Sequence, residues 1–253
     1  MNDTIKERIQ TLRAWMKQTG IEAFIIPSTD PHLSEYVAPH WQSREWISGF
    51  TGSAGTVVVT ENEAGLWTDS RYFLQAAQQL EGTGIDLYKE MLPETPSIPA
   101  FLSEQLKKGQ SVGIDGKVFA TDAARSLQKE LENNGITLKC TADPMEQIWD
   151  GRPEMPQAPA FIHDTKYAGR TCAEKLETIR AEMKKAKADS LLLSALDEIA
   201  WTLNLRGSDV HCNPVVVSYL LIGENEAHYF INSQKVTPEV AAHLHEAGVS
   251  LHT

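Results

Sequence analysis

Cysteine is scarce in this 253-residue chain, which contains only Cys140, Cys172 and Cys212. An odd, widely spaced set of thiols does not build the disulfide framework of small secreted proteins. The chain also lacks any CxxC pair, which excludes the common structural zinc and redox motifs. The cysteine content therefore favours a protein of a reducing compartment.

Long apolar runs are missing as well. No stretch approaches the roughly 18 apolar residues that a membrane span needs. The first residues, MNDTIKERIQTLRAWM, are amphipathic and charged. They do not have the basic stub and apolar core of a secretory signal. We expect a cytoplasmic protein that does not associate with a membrane.

Basic residues are outnumbered, with 23 lysines and arginines against 34 aspartates and glutamates, and the formal net charge is −11. Nucleic-acid binding depends on clustered cations. One short basic run, Lys184–Lys187, belongs to a predicted helix that also carries Glu174, Glu177 and Glu182. It is interpreted as a solvated helix face, so we expect no nucleic-acid partner.

Recognisable catalytic and metal-binding sets are absent too. A hydrolytic two-metal site gathers several carboxylates, usually with a histidine, around ions about 3.5–4 Å apart. His243 and His245 are two residues apart on a predicted helix and point to different faces. The adjacent His211 and Cys212 are either an adventitious ligand pair or, as is more common, plain surface residues. The segment GFTGSAGT lacks both GxSxG and the lysine of a P-loop, and is predicted to be a turn in which glycine supplies positive φ. We expect no catalytic residue, metal ligand or cofactor in this chain.

What the sequence does contain is a repeat. The segment RIQTLRAWMKQTGIEAFII, from Arg8, aligns without a gap with KLETIRAEMKKAKADSLLL, from Lys175. Further along, WISGFTGS from Trp46 corresponds to WTLNLRGS from Trp201, and the strand candidates TVVVT and PVVVSYLLIG follow. The same succession of elements in both places indicates duplication rather than a chance likeness of two amphipathic helices.

Both copies have an α/β pattern. In the first, a helix with apolar residues at helical spacing precedes AFIIP, a buried-strand candidate. GTVVVT, GLWTD, SVGID and ITLKCT are further predicted strands, and RYFLQAAQQL, IPAFLSEQLKK and TDAARSLQKELENNG are predicted helices, the last with Thr121 as its cap and Gly135 as its stop. Alternating elements of this kind form mixed sheets covered by helices, so the predicted fold class is α/β.

The segment DPMEQIWDGRPEMPQAP separates the two copies, and its four prolines favour an extended linker. The predicted domains are residues 1–156 and 157–253. In register with the first copy, Thr253 corresponds to about Tyr88, so the second copy lacks two helices and two strands. Because an uncovered sheet edge is unfavourable in a natural protein, we expect the chain to be a truncated part of a longer one.

Arg71 is the first candidate site residue. Asp69 or Ser70 is the expected cap of the helix RYFLQAAQQL, which places Arg71 in its first turn, where the helix dipole disfavours a cation by about 0.3–1 kcal/mol. Arg71 is therefore predicted either to pair with Asp69 or another local carboxylate, or to reach an anionic group elsewhere. Arg206, in the loop NLRGSD, is the second candidate and either braces the loop or faces a site.

These segments together resemble the amino-terminal half of Xaa-Pro aminopeptidases of the cytosolic three-domain type, in the creatinase and prolidase superfamily. The resemblance lies in SEYVAPHWQSREWISGFTGSAGTVVVT, LWTDSRYFLQAAQQL, IWDGRPEMP and ALDEIAWTLNLRGSDVHCNPVVVSY. It implies two tandem creatinase N-terminal-like units with ribonuclease-H-like sheets. It also implies a third, pita-bread domain, absent here, that holds two divalent ions, typically manganese, and removes an N-terminal residue that precedes proline.

By this resemblance, Arg71 matches an arginine near the substrate, and the NLRGSD loop with Asn213-Pro214 faces the active-site entrance. The pair His211-Cys212 departs from the more common acidic residue and histidine. The front domains are expected to restrict access to short peptides with proline second, to help hold them and to contribute to a homodimer, while this chain alone is inactive. A catalytically inactive peptide- or histone-binding module of the same superfamily remains the alternative.

Overall fold

The computed structural model describes the backbone of residues 2–253 and the side chains of residues 4–253. The chain divides between Pro153 and Glu154 into two units, each with its own sheet. Neither unit has a described helix that is long and apolar enough to cross a bilayer.

The first unit is a six-stranded mixed sheet in the order β4-β3-β2-β1-β5-β6. Its strands are β1 (Ala23–Pro27), β2 (Thr56–Thr60), β3 (Ala64–Thr68), β4 (Asp86–Lys89), β5 (Ser111–Asp115) and β6 (Thr137–Thr141). Its helices are α1 (Asn2–Thr19), α2 (Ser43–Ser48), α3 (Phe73–Gln79), α4 (Ile98–Gln105), α5 (Thr121–Glu132) and α6 (Met145–Ile148), with a 3₁₀ turn at Pro39–Trp41. Strand β1 is antiparallel to β2 and parallel to β5.

Helices cover both faces of this sheet, which is why its four central strands, β3, β2, β1 and β5, are buried almost throughout rather than at alternate residues, whereas the edge strands β4 and β6 are largely exposed. Phe24 and Ile26 of β1 pack into a cluster with the apolar stripe of α1, and Ile25 packs on the other side with residues of α4 and α5. The predicted strands AFIIP and SVGID are confirmed, with four of five and five of five residues buried.

The second unit has a four-stranded sheet in the order β12-β11-β10-β8, and a separate two-stranded ribbon of β7 and β9. Its strands are β7 (Phe161–Ile162), β8 (Ser190–Leu193), β9 (Leu205–Arg206), β10 (Ser218–Gly223), β11 (Ala227–Ile231) and β12 (Val249–His252). Its helices are α7 (Thr165–Ala168), α8 (Cys172–Ala186), α9 (Leu196–Leu203) and α10 (Pro238–Glu246), with a 3₁₀ turn at Ser233–Lys235.

The two sheets share a topology. Antiparallel β8-β10 and β10-β11 pairs and a parallel β11-β12 pair repeat the directions of β1-β2, β2-β3 and β3-β4. The segments WISGFTGS and WTLNLRGS also match in backbone conformation. Gly49 ends α2 and Asn204 ends α9, and both lie in the left-handed region, at φ 73° and φ 51°. The fold is therefore α/β, with two mixed sheets covered by helices and with fewer strands in the second sheet.

Three local predictions are wrong. The second Val-rich strand begins at Ser218, because Val217 N–H donates instead to the carboxylate of Asp209 (2.6 Å) in the preceding loop. Ala120, not Thr121, occupies the cap position of α5, and no side chain accepts a hydrogen bond there. Helix α3 begins at Phe73, two residues later than predicted.

The predicted linker is also wrong in its first half. Met145 of α6 is 1% exposed and packs into the core of the first unit together with Ile148 and Trp149. Arg152 and Asp143 form an ion pair at 2.7 Å, with side chains 8% and 7% exposed. Residues 152–160 have no regular structure, so the extended linker is confined to the second half of this segment, whereas Pro144 lies at the N-cap of α6.

Candidate functional site

Arg71 lies in the turn between β3 and α3 and is bound to Asp69. Its backbone N–H (3.0 Å) and Nε (2.9 Å) both donate to Asp69 Oδ1, and Nη2 donates to Oδ2 (2.8 Å). The Asp69 carboxylate is thus occupied by the arginine and does not cap α3, and Arg71 lies before the first helical turn rather than in it. Of the alternatives predicted for Arg71, the pairing with Asp69 is present in the structure.

The bidentate pair fixes the charge of both groups. Hydrogen bonding from Arg71 lowers the pKa of Asp69, and the same bond raises the pKa of Arg71. The side chain of Arg71 is 60% exposed, and among the described residues only Asp69 accepts its hydrogen bonds. Its Nη1 hydrogens are therefore available to a carbonyl or carboxylate of another molecule.

Tyr72 connects this turn to the GSAG segment. Its hydroxyl lies 2.7 Å from Ser53 Oγ, and its ring meets that of Phe50 edge-on at 5.8 Å. A β-carbon at Gly52 would lie 2.3 Å from Phe50 and 2.7 Å from Tyr72. Gly52 is therefore required by the close approach of two rings. The predicted positive φ is present in this segment at Gly49, with φ 73°, and not at Gly52.

Arg44 of α2 holds the GSAG segment through hydrogen bonds to its backbone carbonyls and to those next to it. It is 6% exposed, donates to the carbonyls of Phe50 and Gly52, and donates from Nε to Ser28 Oγ (2.8 Å). Burial lowers the pKa of Arg44 to about 10, so it remains charged at neutral pH. The sequence reasoning missed Arg44. The signal that could have found it is a cation next to a glycine-rich turn whose carbonyls need donors.

In the second unit, Arg206 lies at the end of β9, which pairs with β7. Its Nη1 donates to the carbonyls of Ala200 (2.6 Å) and Leu205 (2.8 Å), and burial lowers its pKa. These contacts brace the end of α9.

The NLRGSD loop is anchored by a buried ion pair. Lys235 Nζ donates to Asp209 Oδ2, with side chains 2% and 0% exposed, and the same oxygen accepts from Val217 N–H (2.6 Å). The other carboxylate oxygen of Asp209 has no partner within the described part of the chain. Sequence reasoning missed this pair, because residues 26 apart carry no local signal of contact.

The neighbours His211 and Cys212 are exposed in a tight turn closed by a bridge between Val210 and Asn213. Cys212 has φ 57°. No third ligand joins them, and residues 4–253 contain no group of three or more histidine, cysteine or acidic side chains that could hold a metal ion. The donor set does not fit a two-metal centre, so no chemical step can be assigned to one within this chain.

Two sequence families, both described as the Creatinase/Prolidase N-terminal domain, match the chain, one over residues 8–148 and the other over residues 151–253. The chain belongs to the creatinase/prolidase N-terminal domain family, with one family unit on each sheet.

Its relatives are aminopeptidases. Aminopeptidase P2 of Arabidopsis thaliana is 42% identical over 98% of this chain and 35% of its own length. A probable Xaa-Pro aminopeptidase P of Talaromyces marneffei is 43% identical over 94% of this chain and 36% of its own length. The crystal structure of X-prolyl aminopeptidase from Caenorhabditis elegans, described as a cytosolic enzyme with a di-nuclear active site, is 34% identical with a TM-score of 0.92, over 98% of this chain and 42% of that one. The chain thus spans about a third of the length of the curated relatives that it matches.

Proposed function

We propose that this chain is the non-catalytic N-terminal part of a cytoplasmic, metal-dependent Xaa-Pro aminopeptidase. The observation that carries the proposal is the agreement with one enzyme over nearly the whole chain, at a TM-score of 0.92, together with 42% identity to a second. An aminopeptidase of this kind releases an N-terminal residue that precedes proline. Its two divalent ions, manganese in this proposal, are held by residues outside this chain.

In this proposal the two units restrict access to the metal centre, help to hold a short peptide and contribute to a homodimer. Arg71 is the residue that contacts peptide. Its pairing with Asp69 fixes the guanidinium plane and leaves donors for a peptide carbonyl or carboxylate. Arg206 has a smaller part, because its Nη1 group already serves two carbonyls of its own unit.

A chimaera tests the proposal. The matched region of the Caenorhabditis elegans enzyme is replaced by residues 1–253, and the product is assayed with manganese on a tripeptide that has proline second and on one that has alanine there. The chimaera is expected to cleave only the proline peptide. Purified residues 1–253 alone are expected to cleave neither.

Within the chimaera, Arg71→Gln is expected to raise KM roughly tenfold with kcat within about twofold, since it removes a substrate contact and no reacting group. Arg125→Gln, which removes another exposed arginine with an acidic neighbour, is the matched control. Turnover by residues 1–253 alone, or a folded chimaera that prefers the alanine peptide, would contradict the proposal. An unchanged KM in Arg71→Gln would contradict the role of Arg71 alone.

A further inference from the structure

An open cleft in the first unit lies between α1, the segment that leads into β1 and the β2–β3 hairpin. Its volume is about 420 Å³, which is in the range of binding sites for small molecules. Six of its lining residues have counterparts in the second unit, namely Arg13, Ala14, Met16, Lys17, Ile21 and Glu61.

The second unit has an equivalent cleft between α8, the segment that leads into β8 and the β10–β11 hairpin, with a volume of about 320 Å³. Its lining residues are Arg180, Ala181, Met183, Lys184, Ala188 and Glu224. The ungapped alignment of the repeat, together with the equivalent hairpin residues Thr60 and Gly223, places each of them opposite one of the six above. Five of the six pairs are identical, and only Ile21 and Ala188 differ. We call the two sites the hairpin clefts.

The likeness between the two copies is concentrated at the hairpin clefts. Of the 19 residue pairs aligned from Arg8 and Lys175, five are identical, and four of those five line a cleft. The next exposed position on the same two helices differs, because Gln18 corresponds to Lys185. The identities therefore follow the cleft and not the whole exposed surface of the helix.

Both hairpin turns have the sequence Glu-Asn-Glu-Ala, beginning at Glu61 and at Glu224. Asparagine is a common turn residue, but glutamate is not. The side chains of Glu61 and Glu224 are exposed and accept no hydrogen bond from residues 4–253. Neither the turn nor the packing of the core therefore accounts for a glutamate at this position in both copies.

The cations of the hairpin clefts have unused donors. Arg13 and Arg180 donate from Nε to carbonyls of the hairpins, at 2.9 and 3.1 Å, and their Nη groups have no acceptor within the described part of the chain. Lys17 and Lys184 are exposed and form no hydrogen bond or ion pair with a described residue. Each hairpin cleft thus presents two cations and one carboxylate that are free to bind another molecule.

Two more carboxylates lie near the first cleft. Glu22 lines it, but its Oε2 already accepts from the backbone N–H (2.7 Å) and the hydroxyl (3.0 Å) of Ser111. Burial lowers the pKa of Arg13, and the nearby carboxylate of Glu63 opposes that shift. The counterparts of these two glutamates do not line the second cleft. The charges that the two clefts share are therefore those of one arginine, one lysine and one glutamate.

We propose that each hairpin cleft binds a small zwitterion, a molecule with one carboxylate and one ammonium group such as a free α-amino acid or a dipeptide. In the first cleft the carboxylate of the ligand accepts from Arg13 and Lys17, and its ammonium donates to Glu61. An apolar side chain of the ligand contacts Met16 and Ile21. This inference is independent of the proposed peptidase function, because it rests on the comparison of the two copies within one chain.

A ligand with a single charge fits the hairpin clefts less well. Glu61 repels a simple anion, whereas Arg13 and Lys17 repel a simple cation, so either ligand would lie beside a like charge. A zwitterion is complementary to all three groups.

Titration of ¹⁵N-labelled residues 1–253 with L-leucine, followed by amide NMR spectra at pH 7, tests the proposal. Leucine should shift the signals of residues 61–63 and 224–226 in a saturable way, with a Kd on the order of 1 mM for a ligand of this size. Leucinamide lacks the carboxylate and 4-methylpentanoate lacks the ammonium group. Each should bind at least about 10-fold more weakly than leucine, because each loses charge-assisted hydrogen bonds.

The dipeptide leucyl-leucine distinguishes the two sources of a zwitterion. Saturation of the clefts by leucine or by the dipeptide supports the proposal, and the tighter of the two shows whether the ligand is an amino acid or a short peptide.

Variants locate the binding, and the two clefts serve as matched controls within one molecule. Lys17→Gln should weaken leucine about 10-fold in the first cleft and leave the second unchanged, and Lys184→Gln should do the reverse. Glu61→Gln should make the first cleft prefer 4-methylpentanoate to leucine, because the repulsion of a simple anion is removed. All three side chains are exposed, so the variants should fold.

Three results would overturn the proposal. The first is the absence of saturable shifts with both leucine and leucyl-leucine. The second is equal binding of leucine and its two singly charged analogues. The third is a Lys17→Gln variant that weakens both clefts alike or neither of them, since the lysine would then not contact a ligand in the first cleft.

Discussion

Arg180 of α8 donates from Nε to the carbonyl of Gly223 at the end of β10 (3.1 Å). In the first unit, Arg13 of α1 donates in the same way to the carbonyl of Thr60 (2.9 Å). Thr60 and Gly223 are each the first residue of a hairpin turn. The N–H of each donates to the carbonyl of the residue three positions later, at 2.8 Å. Both units therefore tie their first long helix to the same hairpin by an arginine.

Replacing either arginine by alanine is expected to loosen one unit and not the other. Arg13→Ala should increase amide exchange in the β2-β3 hairpin, and Arg180→Ala in the β10-β11 hairpin. Each variant should lose about 1.5–3 kcal/mol of local stability, the range of a hydrogen bond that involves a charged group. Hydrogen exchange with mass spectrometry localises the effect, and the exposed Lys17→Ala and Lys184→Ala are controls on the same two helices. Equal loosening of both hairpins by one variant would contradict the expectation.

Arg44 is expected to be the most sensitive cation of the first unit. Arg44→Ala leaves two carbonyls and the Ser28 hydroxyl without their donor beneath the GSAG segment, which should lower the free energy of unfolding by about 3 kcal/mol. Arg44→Lys should recover little, because one ammonium cannot replace a planar guanidinium at three acceptors. Urea unfolding measures the loss.

The matched control for Arg44 is Arg125→Ala, in which the replaced side chain is 75% exposed. It should change the free energy of unfolding by no more than about 0.5 kcal/mol. If Arg44→Lys is as stable as the wild type, the guanidinium geometry is not what the GSAG segment needs.

The parts of the fold that were predicted correctly are those with a strong apolar pattern. Strands AFIIP and SVGID and the helix with Ile5, Ile9, Leu12 and Met16 all follow from local periodicity, because buried faces require it. The repeat was visible for the same reason, since α1 and α8 bury the same helical positions against equivalent strands.

The parts that were missed depend on contacts distant in sequence. Residues Val215–Val217 have strand composition, yet Asp209 captures the N–H of Val217 and the sheet begins one residue later. Helix α6 was missed because the prolines on either side of it, Pro144 and Pro153, favour a linker, although the apolar spacing of Met145, Ile148 and Trp149 was a signal that could have found it. Arg44 and the Asp209–Lys235 pair are charged residues in the interior, which local patterns assign to the surface.

Asp209 and Lys235 are expected to couple strongly. Asp209→Asn or Lys235→Met alone leaves one buried charge without a partner and should lower the free energy of unfolding by about 3–5 kcal/mol. The double variant should lose less free energy of unfolding than the sum of the two single losses, with a coupling energy of about 2 kcal/mol between the two sites. Urea unfolding of the four proteins gives the coupling directly.

Additive losses in this cycle would show that the two side chains do not interact in solution. A comparison with Lys166 and Asp164 provides the control, since that ion pair lies at 3.7 Å with side chains 64% and 58% exposed. Its coupling should be within about 0.5 kcal/mol of zero.

The three cysteines are expected to react in two classes. Cys172 is 2% exposed in α8, and burial raises the pKa of its thiol from 9.0 to about 11, whereas Cys140 and Cys212 are exposed. At pH 8 two thiols should therefore be alkylated by iodoacetamide within minutes and the third only after unfolding, because the thiolate is the reactive form.

The same raised pKa of Cys172 predicts a pH dependence of stability. The folded chain favours the neutral thiol, so this contribution to stability is fully present below the unfolded pKa of 9.0 and is lost as the pH rises to about 11. Cys172→Ala should have a shallower loss of stability between pH 9 and 11 than the wild type. Cys140→Ala, at an exposed position, is the control and should follow the wild-type curve of stability against pH. In the alkylation experiment, uniform reaction of all three thiols in the native chain would show that burial does not protect Cys172.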